Sequence, residues 1–259
     1  MKKINVDKKA VKRTIENVVY PLIALGIMLA VWAIAAKVKD NSLVLPMPDV
    51  VFERFFTLGA EEGFWLSVGR TLLRTSICFV LSFGFAMIFA ICGGLYNPIH
   101  RIMSPIVSVM RSAPTVAVIL ILYAFLSSSS MAVVVGFLIA FPIMYSSFYS
   151  AIVGVDEELI EMSKVYKVRS VDKIRYIYVP LVAPSVFDTS KSTLSLTLKV
   201  VIAAEILANV TNSIGGKIQV ANASFEIAYL LSYTLVAIVF SFALESVVAL
   251  SKKIWEVAR

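Results

Sequence analysis

Between Ser112 and Val155 the chain runs 44 residues without a charged side chain. So long a run without charge is unusual in a soluble fold, where helices and strands at the surface keep a polar, commonly charged face. About 20 apolar residues are enough to cross a hydrocarbon core of roughly 30 Å, so this run has room for two crossings and a tight turn. The whole sequence agrees. Charged residues make up 16% and hydrophobic residues 59% of the 259, with a mean hydropathy of +0.87, against about 25% charged in ordinary soluble domains. An all-α integral membrane protein is the expected class.

Hydrophobic blocks separated by polar or Pro/Gly-rich breaks predict about six transmembrane helices, over Val18–Ala36, Thr75–Tyr96, Ile102–Leu126, Met131–Ser150, Ser185–Ala208 and Ile227–Leu244. Residues 1–17 form a basic N-terminus, and 18–259 a single transmembrane domain. Val18–Ala36 is longer than the apolar core of a secretory signal, so it is read as a retained first span. Lys37–Arg74 is expected outside, Asn97–Arg101 as a turn, and Ser127–Ser130 as a tight outer turn. Ser82, Gly84, Gly93 and Gly94 are expected to allow close helix contact. With the N-terminus inside, fifteen Lys and Arg lie in inner segments and six in outer ones, which favours N-in/C-in. Cys78 and Cys92 fall 14 apart in one predicted helix, about 21 Å by helical rise, too far for a disulfide. With one histidine, His100, and no Cys/His cluster, no metal site is expected.

The inner segment Gly154–Pro184 is the exception to the greasy pattern, with five acidic and five basic residues. Asp156 is placed to cap a helix whose first turn holds Glu157 and Glu158. Val155, Leu159, Met162 and Tyr166 recur at helical spacing, giving one narrow apolar stripe. A second short helix is expected from Ser170, with Ile174, Ile177 and Leu181 on one face, before Pro180 and Pro184 open the next span. A short amphipathic helix on a membrane protein can rest on lipid or seat in a partner's groove.

These residues resemble the EAA loop of binding-protein-dependent ABC transporter permeases. Gly154, Glu161, Pro180 and Pro184 match at the family's spacing, and Met162 and Ser163 replace its two alanines. Lys167 stands where the family has a glycine, a departure that bears on the tight turn expected there. LVLPMPDVV at Leu43–Val51, RSAPTVAVILIL at Arg111–Leu122, FPIMYSSFYSAIVGVDEELIE from Phe141 and AAE at Ala203–Glu205 resemble the branch serving nitrate, sulfonate and taurine. The resemblance implies a type I ABC importer permease fold in a bacterial plasma membrane. It implies a coupling loop over 154–180, with Gly154, Asp156, Leu159, Glu161, Met162, Ser163, Tyr166 and Lys167 meeting an ATPase. Its implied partners are ABC ATPase subunits that bind ATP and Mg²⁺, a second permease subunit (a copy or a relative), an extracytoplasmic solute-binding protein and membrane lipid, with no nucleic acid.

Charges inside predicted spans cost several kcal/mol and face a cavity or a partner. Arg111, Lys199 and Glu205 are the candidates for a pathway or gate. Arg111 matches the family, so helix positioning outweighs solute contact as its expected role. Glu205 also matches and is expected to serve shared architecture, such as an outer gate. Lys199 departs from the family, and two readings stay open: counter-charge to an anionic solute, or a buried partner for a carboxylate of this subunit or of its mate. Asp188 and Lys191, three apart near the inner start of the fifth span, share a face and are read as a structural ion pair or as side chains snorkelling to the interface.

The chain has no G-x-x-x-x-G-K-[ST] loop, nucleophile elbow or paired-carboxylate site, so no nucleotide hydrolysis is expected of it. An autonomous secondary transporter or channel is the alternative. It predicts inverted repeats and midplane coupling carboxylates, whereas the sequence has no repeat and Glu205 as its one deep carboxylate. A scaffold or insertase would predict spans free of interior charge, unlike Lys199 and Glu205.

Overall fold

The computed structural model describes residues 8–39, 41 and 43–258. Part of the basic N-terminus expected over 1–17 lies outside the described residues. Eleven α-helices follow in order: α1 Lys8–Lys39, α2 Pro48–Thr57, α3 Phe64–Leu95, α4 Asn97–Ser112, α5 Thr115–Tyr123, α6 Ser128–Val153, α7 Glu157–Val165, α8 Ser170–Lys173, α9 Val179–Leu207, α10 Ile214–Ala223 and α11 Ile227–Val257. No strand occurs among the described residues.

Four helices, α1, α3, α6 and α11, are long and apolar enough to cross a bilayer by themselves. The pair α4 and α5 together would make a fifth span, but the two are bent by 92°. The expected continuous span Ile102–Leu126 is therefore corrected to a broken one. Pro114 is the cause: it disfavours helical backbone at Ala113, and both residues are extended. Asn97–Arg101, expected as a turn, is the first turn of α4, with Pro98 at its start, where a missing N–H costs nothing.

The sixth long helix, α9, has 29 residues, about 43 Å of helix. Its charges Asp188, Lys191, Lys199 and Glu205 lower its apolarity. It starts at Val179 rather than Ser185, because Pro180 sits in its first turn and Pro184 is absorbed inside it. Just before it, Ile174–Tyr178 widens into a π-helical turn, with Val179 N–H reaching Ile174 O. The ring of Pro180 would crowd the carbonyl of Tyr176, four residues back, and the wider turn relieves that crowding.

The outer ends also differ from expectation. α3 begins at Phe64, so Arg70 and Arg74 lie on the helix rather than in a loop. Ser127 precedes α6, and Ser128–Ser130 form its first turn. α11 continues to Val257 and carries Lys252 and Lys253 on the helix.

α6 is the central element, more deeply buried than α3 or α11 and far more than α1. It packs between α3 and α9. Toward the outer ends of the spans, Met131, Ala132 and Val135 meet Val200, Val201 and Ala204, while Phe64, Val68, Leu198, Ile202, Tyr233 and Val236 form a second core. Toward the inner ends, Ala86, Ala90, Met144 and Phe148 build a third. Lipid tails are as apolar as these side chains, so close packing rather than water exclusion holds the helices together. Small residues set that closeness. A Cβ on Gly136 would stand 2.5 Å from Cys78 Sγ, and one on Gly94 2.8 Å from Ile152. Gly84, expected to make such a contact, has nothing within 4 Å of its would-be Cβ. α1 touches the body mainly through Trp32, whose indole N–H donates to Pro46 O at 3.1 Å, and buried Ala36.

Candidate functional site

The inner loop folds as a closed structural unit. Asp156 caps α7, accepting from Glu158 N–H at 2.9 Å, and Glu157 and Glu158 occupy the first turn, where the helix dipole favours them. At the other end Lys167 takes a left-handed backbone with φ of 53°. Its N–H donates to Lys164 O at 3.0 Å, and Val168 N–H donates to Ser163 O at 2.9 Å. This is the Schellman arrangement that usually ends on glycine. The tight turn thus forms with lysine in place of the family's glycine, at a backbone cost of about 1–2 kcal/mol.

The expected single apolar stripe divides into two faces. Val155 and Ser163 are buried, and Leu159 and Ile160 are half-buried, all toward the body of the protein. Ser163 is 3% exposed, and its Oγ donates to Ile160 O at 2.6 Å, so the buried hydroxyl is satisfied within the helix. The other face presents Met162, Val165 and Tyr166, which are 51%, 78% and 75% exposed. Exposed Glu161 lies beside them without a partner among the described residues. Gly154 precedes the cap, where a Cβ would stand 2.8 Å from Ser150 O.

Glu205 is fully buried near the end of α9. Its carboxylate accepts from Thr71 Oγ1 at 2.9 Å, Arg74 Nη1 at 2.8 Å and Gly215 N–H at 3.2 Å. Thr71 Oγ1 in turn accepts from Ile214 N–H at 3.0 Å. One carboxylate therefore ties α3, α9 and the start of α10, satisfying N–H groups that a helix start leaves unpaired. A Cβ on Gly215 would collide with Glu205 and with Ile202 O, so only glycine lets α10 close on the carboxylate. Thr71, Arg74 and Gly215 were not foreseen. The available signal was chemical: a carboxylate in a span demands a cation, and Arg74 lies at the outer end of the neighbouring apolar block.

The remaining charges lie apart. The Asp188–Lys191 pair is corrected: Asp188 Oδ1 meets Lys252 Nζ at 2.7 Å, joining α9 to α11. A continuous α11 brings Lys252 there. Lys191 and Lys199 are exposed on α9, and Lys199 is not a buried carboxylate's partner among the described residues. Arg111, also exposed, closes the last turn of α4, its Nη1 3.5 Å from Ser146 Oγ. His100 Nδ1 meets Tyr145 OH at 3.0 Å, and the ring stacks on Tyr149 at 3.7 Å.

Residues 86–255 match the family of binding-protein-dependent transport system inner membrane components. A nitrate import permease protein, NrtB of Leptolyngbya laminosa, is 22% identical over 206 residues, 76% of this chain and 73% of that protein. A taurine transport system permease protein, TauC of Escherichia coli, is 22% identical over 229 residues, 85% and 82% respectively. Among solved structures, a chain of the MetNI methionine ABC transporter in an inward-facing conformation superposes with a TM-score of 0.57 at 18% identity, covering 71% of this chain and 95% of that one. Its fold is that of a type I importer permease. The chain belongs to the binding-protein-dependent transport system inner membrane components, the multi-pass permease subunits of ABC importers.

Proposed function

We propose that α7 is the helix through which a separate ABC ATPase drives this permease. The carrying observation is the outward face of Met162, Val165 and Tyr166 beside Glu161, on a helix closed at both ends and backed by buried Val155 and Ser163. A rigid, capped helix with exposed apolar side chains suits a groove in a soluble partner, since helix-in-groove docking uses such spacing. The ATPase would hold ATP and Mg²⁺. Its closure would push α7 and, through the buried seam, tilt the long helices between inward- and outward-open states. A second permease subunit, a copy or a relative, would complete the pathway, and an extracytoplasmic binding protein would deliver the solute. The relatives named for nitrate and taurine support a small anionic or zwitterionic solute.

The test is co-purification of the chain with its ATPase, using Tyr166→Asp, Glu161→Lys and Leu159→Asp. We expect Tyr166→Asp and Glu161→Lys to lose ATPase and ATP-dependent uptake while membrane insertion persists. Leu159→Asp, on the half-buried seam, should weaken both. Normal assembly and uptake in Tyr166→Asp and Glu161→Lys together would refute the docking role.

A further inference from the structure

A cleft of about 600 Å³ runs between α4 and α6, within the size range of small-molecule sites. Its α4 wall carries Ser104, Ser108 and Arg111, spaced at three and four residues and so stacked on one helix face. Its α6 wall carries Ser146 and Ser150. No carboxylate lines it. Among the described residues, the hydroxyls of Ser104, Ser108 and Ser150 have no hydrogen-bond partner, and Arg111 has no carboxylate and only the 3.5 Å approach to Ser146. The cleft thus presents a guanidinium and several hydroxyl donors that no carboxylate of its lining receives.

Its place in the bundle adds an independent argument. Arg111 lies next to the Ala113–Pro114 break, where the chain turns by 92° between two apolar helices. Irregular backbone at membrane depth is tolerated only inside protein or beside a water-filled cavity. An arginine within a span obeys the same rule. The break and the cation both call for protein, water or a polar ligand on this side of α4, and the cleft provides room for the last two.

We propose that this cleft is a binding waypoint for a small oxyanion (a sulfonate, nitrate or carboxylate group), with Arg111 forking two oxygens and Ser108 and Ser150 donating from the two walls. This deepens the importer reading and rests on it. Arginine's planar fork matches such groups two oxygens at a time. With Arg111 and no carboxylate in its lining, the cleft carries positive charge that favours an anion over a cation, even beside Tyr145 and Tyr149. Lys199 on α9 does not line this cleft.

The test is equilibrium binding of radiolabelled methanesulfonate to the purified permease–ATPase complex in phosphatidylcholine nanodiscs. Nitrate, acetate and tetramethylammonium serve as competitors, and a parallel arm contains phosphatidylglycerol. We expect displacement by nitrate and acetate and none by tetramethylammonium. Arg111→Ala should weaken binding about ten- to a hundredfold, Arg111→Lys less. Ser108→Ala with Ser150→Ala should weaken it several-fold, while the ATPase still co-purifies. The double serine variant keeps the test decisive if Arg111→Ala misfolds. Three results would overturn the proposal: no methanesulfonate bound by the wild type, binding unchanged in both variants, or a cleft that responds to phosphatidylglycerol alone. Intact anion binding without ATPase assembly would instead count against the importer reading and leave the site standing.

Discussion

Replacing Glu205 by alanine tests the strongest polar tie in the molecule. The side chain is fully buried, and Arg74 is 11% exposed. Removing the carboxylate leaves a nearly buried guanidinium without counter-charge, frees Thr71 Oγ1, and orphans Gly215 N–H at the start of α10. Breaking a buried pair from one side costs about 3–5 kcal/mol, and the stranded amide belongs within that figure. Glu205→Gln keeps the shape and one acceptor oxygen, so the loss should be about 1–2 kcal/mol, the difference between a charge-assisted and a neutral hydrogen bond. Thermal unfolding of the detergent-purified protein, followed by circular dichroism, should show a Tm lower by about 10 °C for the alanine variant and a few degrees for the glutamine. Arg74→Met adds a cycle. With Glu205→Ala the two costs should fall short of additive by about 2 kcal/mol, because each alone already breaks the pair. Additive effects, or a Glu205→Ala cost under about 1 kcal/mol, would show that the network does not hold α3, α9 and α10 together.

Three further outcomes follow from particular contacts. Lys167→Gly should stabilise the end of α7 by up to about 1 kcal/mol by relieving the left-handed lysine, slowing proteolysis of the loop. Lys167→Val should speed it, because a branched Cβ suits that backbone least. Gly136→Ala should destabilise by about 1–3 kcal/mol, since its Cβ would stand 2.5 Å from Cys78 Sγ, and adding Cys78→Ala should recover part of the lost Tm. Lys252→Ala should cost less than about 1 kcal/mol in the same melt, because Asp188 is 65% exposed and water screens the pair.

Residue order alone places the chain in a membrane, locates the four long apolar helices α1, α3, α6 and α11, and marks one charged loop as inner. Those conclusions depend on runs of side chains meeting a solvent, and a run is a local property. The cap at Asp156 was legible for the same reason, since a cap acts within one helical turn, whereas α9 starts at Val179 ahead of the expected Ser185 because the helix accommodates both Pro180 and Pro184. Tertiary structure decided what each charge meets. Asp188 and Lys191 share a helix face, yet Lys252 reaches Asp188 from 64 residues away. Glu205 is held by groups on two other helices. The stripe on α7 divides because the body of the protein covers Val155 and Ser163 and leaves Tyr166 in the open. The Pro114 break also depends on context, because a proline in a span can kink, be absorbed as Pro184 is, or turn the chain by 92°. Neighbouring helices make that choice by supplying or withholding partners for the freed backbone groups.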